Sequence, residues 1–533
     1  MPIYNTLGSD YGHWMQKHVT EHWQVRKPAV SSNKGLVACQ HYLAADVGAE
    51  ILADGGNAID AAIAAGLTLG TVEPWMSGIG GGGYMTVYLA KEDKVRVVEF
   101  GMRAPFASVP EDYPLAPGGT NSADAFNWPK VEDDVNVHGP LSIAVPGYIK
   151  GIALALEKFG TLSFANVIEP ACRQAEWGLP IDWYSANKIN TFARDLHHYD
   201  ETRRVYFTDG FTPRIDLEGM IKPLPLGNLA ATYRRLQNAG AEDYYHGELA
   251  GEIAADLASA GSKITTEDLA KYEARIAEPL SLRYRECDFH VAGELTAGPS
   301  IVQALSLLAE RLKSSSPDAD CYKHYAQTLL DTYAYRLSNL GEGKDGNTTH
   351  ICATDSEGNV VSLTQTIMSG FGARIMLPQT GILMNNGMMW FDPRPGGANS
   401  VKGGRHPLCN MCPVIGLKDN GSIFAAGACG GRKIFPAVFQ LVSFLVDFDM
   451  SVEAAAHQPR IDVSGTDLVT IMDNMNPEVI SALSDVFEET RVRPNGVSPN
   501  LFALPQIIER QPNGLSSGAC FIPSPHAKVS APD

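Results

Sequence analysis

Asn347-Thr348-Thr349-His350 is the stretch of this 533-residue chain whose residue types could do nucleophilic chemistry. A threonine hydroxyl is a poor nucleophile until a base takes its proton. One economical base is the α-amine of the same residue, which exists only if Thr348 is N-terminal. Its pKa of about 8 suits proton transfer near neutral pH. The residues just upstream, Gly341-Glu342-Gly343-Lys344-Asp345-Gly346, form a polar, glycine-rich break where the chain could cut itself and expose that amine. Taken alone, the same four residues also fit an ordinary loop-to-strand junction.

Other patterns suggest chemistry and fail on context. Gly78-Ile79-Gly80-Gly81-Gly82-Gly83 satisfies G-x-G-x-x-G, but it follows a predicted helix and precedes a predicted strand. A dinucleotide site needs the reverse order, with the pyrophosphate at a helix N-terminus. Gly514-Leu515-Ser516-Ser517-Gly518 resembles a nucleophile elbow, yet it lies too near the end for the Asp and His that should follow. Cys409-Asn410-Met411-Cys412 has no second ligand pair at zinc-like spacing, so buried thiols are expected and no metal.

The elements that must hold Thr348 can be sketched from periodicity. Gly55 to Glu73 carries Ile59, Ile63, Leu67 and Leu69 among alanines, which predicts a helix stopped by Pro74. Tyr84 to Leu89 predicts a strand. His350–Thr354 and Val360–Ile367 alternate like two strands joined by a turn over 355–359. Residues 140–330 are mostly helical, with helices over Gly151–Lys158 and Ile301–Leu312. Strands over Val414–Lys418 and Ile423–Ala426 and a helix after Gly431 follow. A helix-rich first part and a strand-rich second part predict a layered α+β fold.

Composition narrows the partners. A net charge of −18, from 60 acidic against 42 basic side chains, repels nucleic acid and anionic membranes. The longest apolar run, Ile434–Phe448, is too short and too interrupted to span a bilayer. Residues 1–30 lack the apolar core of a signal peptide, and nine scattered cysteines do not form a disulfide framework. A cytoplasmic, reduced setting is expected.

Several blocks in order carry a family resemblance. GGNAIDAAIAAGLTLGTVEPWMSGIGGGGYM, AVPGYIKGIALALEKFGTL, TTHICATDSEGNVVSLTQT, GILMNN, P-L-x-x-M-x-P and the Gly430-Gly431 stretch resemble the signatures of γ-glutamyltranspeptidases. The likeness runs from about residue 36 to about residue 470. It implies a four-layer αββα sandwich of the N-terminal-nucleophile hydrolases. It implies self-cleavage between Asn347 and Thr348 into a large subunit, 1–347, and a small one, 348–533, which together make one catalytic unit. Thr348 would be the nucleophile, Thr366 the threonine that orients it, and Gly430 and Gly431 the oxyanion-hole pair. No cofactor is implied.

The pocket departs from that family's pattern. The arginine that grips a donor's α-carboxylate falls at Gly101, with Arg103 two residues later. The acid that holds the α-ammonium is Trp390, the glutamine before it Gly387, and the serine pair Cys409-Asn410. The asparagine two residues after the second threonine is Met368. Losing two or three charged hydrogen bonds of roughly 1.5–3 kcal/mol each would weaken γ-glutamyl recognition by about 10³-fold. The resemblance therefore implies a divergent acylase or amidase acting on a small-molecule amide, with Arg103, Trp390, Cys409 and Asn410 lining the acyl site. Residues 391–406 make a short connection where many relatives have a lid, which predicts an open site. Two other readings remain: a true γ-glutamyltransferase or glutathione hydrolase in which Arg103 and Asn410 replace the lost anchors, and an inactive binding homologue.

Overall fold

In the computed structural model, which describes residues 25–118, 128–339, 347–498 and 500–533, the alanine-rich run becomes the helix Ala58–Val72. Asn57 starts it: its side chain accepts from the N–H of Ile59 and Asp60 while the Asp60 carboxylate takes the N–H of Asn57. Asp60 also accepts from the Thr161 hydroxyl at 2.6 Å, which ties in the neighbouring helices Tyr148–Phe159 and Phe164–Trp177. Every residue of Ala58–Val72 is buried, as a helix apolar on all sides must be. It is therefore an inner helix, clamped between a sheet and other helices.

That sheet has seven strands in the order Lys528–Ser530, Gly35–Cys39, Asn347–Asp355, Val360–Met368, Gly82–Leu89, Lys94–Phe100 and Arg275–Ala277. A second runs Val30–Ser32, Ser516–Cys520, Leu504–Arg510, Ile423–Cys429, Val414–Lys418, Cys287–Val291 and Leu280–Tyr284. Neighbouring strands in both are antiparallel. Alternation sends Ile351, Ala353, Val361 and Leu363 outward onto the helix Ala58–Val72 and its neighbours. Cys352 and Val360 point inward, against Ile415, Ala425 and Ile508 of the second sheet. Phe424, Ala426 and Ile507 face out of the second sheet onto Gly298–Arg311, Ala319–Asn339 and Ile434–Val446. Helix, sheet, sheet, helix gives the four-layer αββα sandwich.

Each sheet takes strands from both sides of the expected cut, so the two parts share their cores. Asn347–Asp355 lies between Gly35–Cys39 and Val360–Met368. The elbow-like stretch 514–518 lies at the hairpin between Leu504–Arg510 and Ser516–Cys520, and the Ser516 hydroxyl is bonded to Thr354. The long apolar run is the buried helix Ile434–Val446, and among the described residues no helix is long and apolar enough to cross a membrane. All nine cysteines are buried free thiols, and the described residues hold no cluster suited to a metal.

Candidate active site

Thr348 is the second residue of the strand Asn347–Asp355. It is only 3% exposed. The ladder pairs Thr349 with Gln365 and Asn347 with Met368, so Thr366 and Ile367 together oppose the single residue Thr348. This bulge places Met368 at φ +87° and lets the Thr366 hydroxyl accept the Met368 N–H at 2.7 Å. Bulges recur beside active sites because they re-aim a side chain. By alternation Thr348 shares the inward face with His350 and Cys352, and Thr366 shares it with Ser362 and Thr364. The Thr366 hydroxyl oxygen is thereby fixed by the Met368 N–H. The register thus sets the two threonines on facing strands.

His350, next along that face, is a weak base. Full burial pushes its imidazole down to about 3, so it is neutral at working pH. Its Nδ1 bonds Thr364 Oγ1 at 2.9 Å and its ring lies against Gly427. Its role is to knit the sheets.

Gly430 and Gly431 follow the strand Ile423–Cys429, which packs across from the two threonine strands. Ser362 Oγ donates to the Ala426 carbonyl at 3.0 Å, and one residue on, Gly427 meets His350. Moving from Cys352 toward Thr348 in one sheet therefore moves from Ala426 toward Gly430 in the other. The glycine pair leaves its sheet at the Thr348 end of the sandwich. Gly430 has φ +133° and Gly431 +59°, and among the described residues no backbone carbonyl accepts either N–H. The pair opens the turn that feeds the helix Ile434–Val446, whose N-terminal dipole adds to their positive field.

The glycine cluster at 78–83 serves close packing rather than phosphate. A Cβ on Gly81 would stand 2.1 Å from the Thr366 carbonyl, so only glycine lets this loop brace the bulge. Gly81 in turn accepts the N–H of Gly147 and Tyr148 at 2.9 and 3.0 Å. Behind Gly430, Cys429 takes a hydrogen bond from Gln40 and lies within electrostatic reach of Glu73 and Lys188. Burial raises the Glu73 carboxyl to about 8, opposed by Lys188. Nothing in the local pattern of residues 71–74 marks Glu73 as buried against the glycine-pair strand; only the fold brings them together.

The acyl-site candidates divide into three groups. Trp390 and Cys409 join one buried cluster with Met102, Met368, Met388, Met389 and Met411. Burial pushes the Cys409 thiol up to about 12, so it stays protonated. Asn410 is 7% exposed and its Oδ1 accepts from Arg336 at 3.0 Å. Arg103, by contrast, is occupied: it donates to the carbonyls of Lys271 and Asp268, both at 2.7 Å, and lies 4.4 Å from the centre of the Phe106 ring. At Gly101 a Cβ would meet the Tyr84 hydroxyl at 2.7 Å, so Tyr84 fills the space beside the missing arginine. The short connection 391–406 is held by backbone hydrogen bonds. It folds on itself through Asp392 and Asn399, and Gly404 and Arg405 exchange backbone hydrogen bonds with Ala104. Thr348 and Trp390 are 3% and 5% exposed.

The Thr366 geometry carries a direct expectation. Thr366→Ala should fold, since it removes little volume, and should lose activity by about 10²-fold, the scale of one misplaced catalytic contact. An unchanged kcat in the processed variant would make Thr366 a plain strand residue.

Two antiparallel sheets between helical layers, with a threonine at the head of a central strand, define an N-terminal-nucleophile hydrolase fold. The model of the γ-glutamyltranspeptidase family matches residues 44–345 and 331–520, and the chain belongs to that family and is an enzyme of it. It is 31% identical to the acylase ACY 1 proenzyme of Pseudomonas sp. (strain SE83), over 93% of each chain. It is 28% identical to the glutathione hydrolase proenzyme of Bacillus subtilis (strain 168), over 87% of this chain and 88% of that one. The structure superposes on a cephalosporin acylase from Bacillus halodurans with TM-score 0.83 at 24% identity, covering 97% and 99% of the two chains.

Proposed function

We propose that this chain is a precursor that cuts itself between Asn347 and Thr348, and that Thr348 then hydrolyses a small-molecule amide through an acyl-enzyme. The observation that carries it is the placement of Thr348: a nearly buried residue at the head of a central strand, opposed by Thr366 across a bulge, at the end where Gly430 and Gly431 emerge. The proenzyme names of the relatives support self-processing.

In the first step the Thr348 hydroxyl oxygen attacks the Asn347 carbonyl and its proton passes to the departing Thr348 nitrogen. The resulting ester takes up water and releases a large subunit, 1–347, and a small subunit, 348–533, with a free amine on Thr348. In turnover that amine accepts the hydroxyl proton as the oxygen attacks the substrate carbonyl, and returns it to the leaving amine. The N–H groups of Gly430 and Gly431 hold the oxyanion, commonly the largest single catalytic term. Water then hydrolyses the acyl ester, and an amine acceptor would give transfer instead.

The pocket favours an acyl group without an ammonium. Trp390 stands where an acid would neutralise that charge, and Arg103 is committed to backbone carbonyls. Desolvating an unpaired ammonium is costly. Glutaryl-p-nitroanilide is expected to have a higher kcat/KM than γ-glutamyl-p-nitroanilide, and a folded Trp390→Asp variant should shift the ratio toward the γ-glutamyl compound. A tenfold wild-type preference for γ-glutamyl would make the chain a glutathione-hydrolase type of enzyme instead.

A further inference from the structure

Gln40 follows the strand Gly35–Cys39 and is 1% exposed. Along that strand Leu36 and Ala38 point between the sheets, while Val37 and Cys39 point out onto the helices, so alternation turns Gln40 inward. Cys39 pairs with Ile351, and the same antiparallel register sets Gln40 beside His350, two residues from Thr348. In the other sheet Ile423 and Ala425 point inward and Phe424, Ala426 and Ala428 point out. Cys429, the last residue of that strand, is therefore also turned inward. The two side chains meet between the sheets, where Gln40 Nε2 donates to Cys429 Sγ. Burial pushes the Cys429 thiol up to about 12, so the sulfur that accepts is neutral.

The strand end that carries Cys429 needs such a tie. Val414–Lys418 pairs with Ile423–Cys429 only as far as Ala426. From Gly427 to Cys429 the ladder continues on one side alone, with Leu504–Arg510. Gly430 and Gly431 come next, both at positive φ. Two other bonds between the sheets, from Ser362 to the Ala426 carbonyl and from Thr86 to the Pro413 carbonyl, act at or before the level of Ala426. The bond from Gln40 reaches the residue next to the glycine pair. Sulfur is a weak acceptor, and an apolar pair of the same shape would be as stable or more so. Stability therefore does not explain the amide, whereas the placing of the strand end does.

We infer that Gln40 is a positioning residue: by holding Cys429 from the opposite sheet, it fixes the strand end from which Gly430 and Gly431 leave and keeps their N–H groups aimed at the carbonyl that Thr348 attacks. This rests on the reading of Thr348 as the nucleophile and of the glycine pair as the oxyanion donors. It adds the side chain that joins the nucleophile's sheet to the donors' strand.

The test separates rate from stability. Gln40→Leu should melt within about 3 °C of wild type, because it exchanges a buried amide for an apolar group beside a thiol. Its kcat for glutaryl-p-nitroanilide should fall about tenfold with KM little changed, since the oxyanion forms only on the way to products. Cys429→Ala should do the same, and the double variant should be no slower than either single one, because each removes the same tie. Cys429→Ser keeps an acceptor and should recover most of the rate. If Gln40→Leu does not fold, Cys429→Ala against Cys429→Ser decides. A Gln40→Leu enzyme with the wild-type kcat would overturn the inference, as would single effects that add in the double variant. Rate and melting temperature that fall together would make Gln40 a structural residue instead. Should wild type turn over no amide, the nucleophile reading fails separately, and amide hydrogen exchange still decides. Residues 427–433 should exchange about tenfold faster in Gln40→Leu than in wild type while 414–418 do not, and equal rates would overturn the inference.

Discussion

Thr348→Ala is expected to remain a single 57.4 kDa polypeptide and to release no amine from any amide substrate. One oxygen atom is asked to do two jobs, the attack on Asn347 and the attack on substrate, and alanine lacks it. The fold should survive, because the residue begins a strand whose ladder and packing are set by Thr349 to Asp355 rather than by the Thr348 side chain. Loss of one small buried side chain costs about 1–2 kcal/mol, a modest share of a folded protein's stability. Thr348→Ser keeps the oxygen and should still divide. A denaturing gel and an amine-release assay read both results. An alanine variant that is cut at this bond, or that turns over, would remove Thr348 from the mechanism.

Gly430→Ala should cost about 10²–10³-fold in kcat, the effect of removing one oxyanion donor. Two causes act together. At φ +133° a side chain is strained by about 1–3 kcal/mol. Its Cβ would also stand 3.0 Å from Ala503 Cα and 3.2 Å from Ala503 Cβ, in the strand connection behind the turn. The backbone relieves both by rotating, and the N–H then no longer points where the oxyanion forms. The measurement is single-turnover acylation of processed enzyme by glutaryl-p-nitroanilide, with circular dichroism to show an intact fold. A rate within threefold of wild type would reduce the glycine pair to a turn.

Much of this was legible in the residues, for a physical reason. The alternation of His350–Thr354 and Val360–Ile367 and the all-apolar helix before Pro74 are local patterns, and local patterns survive folding. Both strands run a little further than the pattern predicts, to Asn347–Asp355 and Val360–Met368, because pairing with neighbouring strands extends them. What no local pattern carries is the company each residue keeps. Arg103 looks like a displaced anchor in the sequence; only the helix Thr266–Ala270 beside it shows that its two Nη groups each donate to a carbonyl there, of Lys271 and Asp268. Arg336 and Asn410 are far apart in the chain and meet through tertiary packing. The length of the connection 391–406 does not foretell the backbone hydrogen bonds that Gly404 and Arg405 make with Ala104. The bulge opposite Thr348 depends on register, which one strand alone cannot define.

The central claim is that Thr348 becomes an N-terminus. Intact-mass spectrometry of the purified wild-type protein, with N-terminal sequencing of the smaller fragment, tests it most directly. The account predicts two fragments, about two-thirds and one-third of the 533 residues, the smaller beginning Thr-Thr-His-Ile at Thr348. A fully active chain that is uncut, or one whose smaller fragment begins at any other residue, would contradict it.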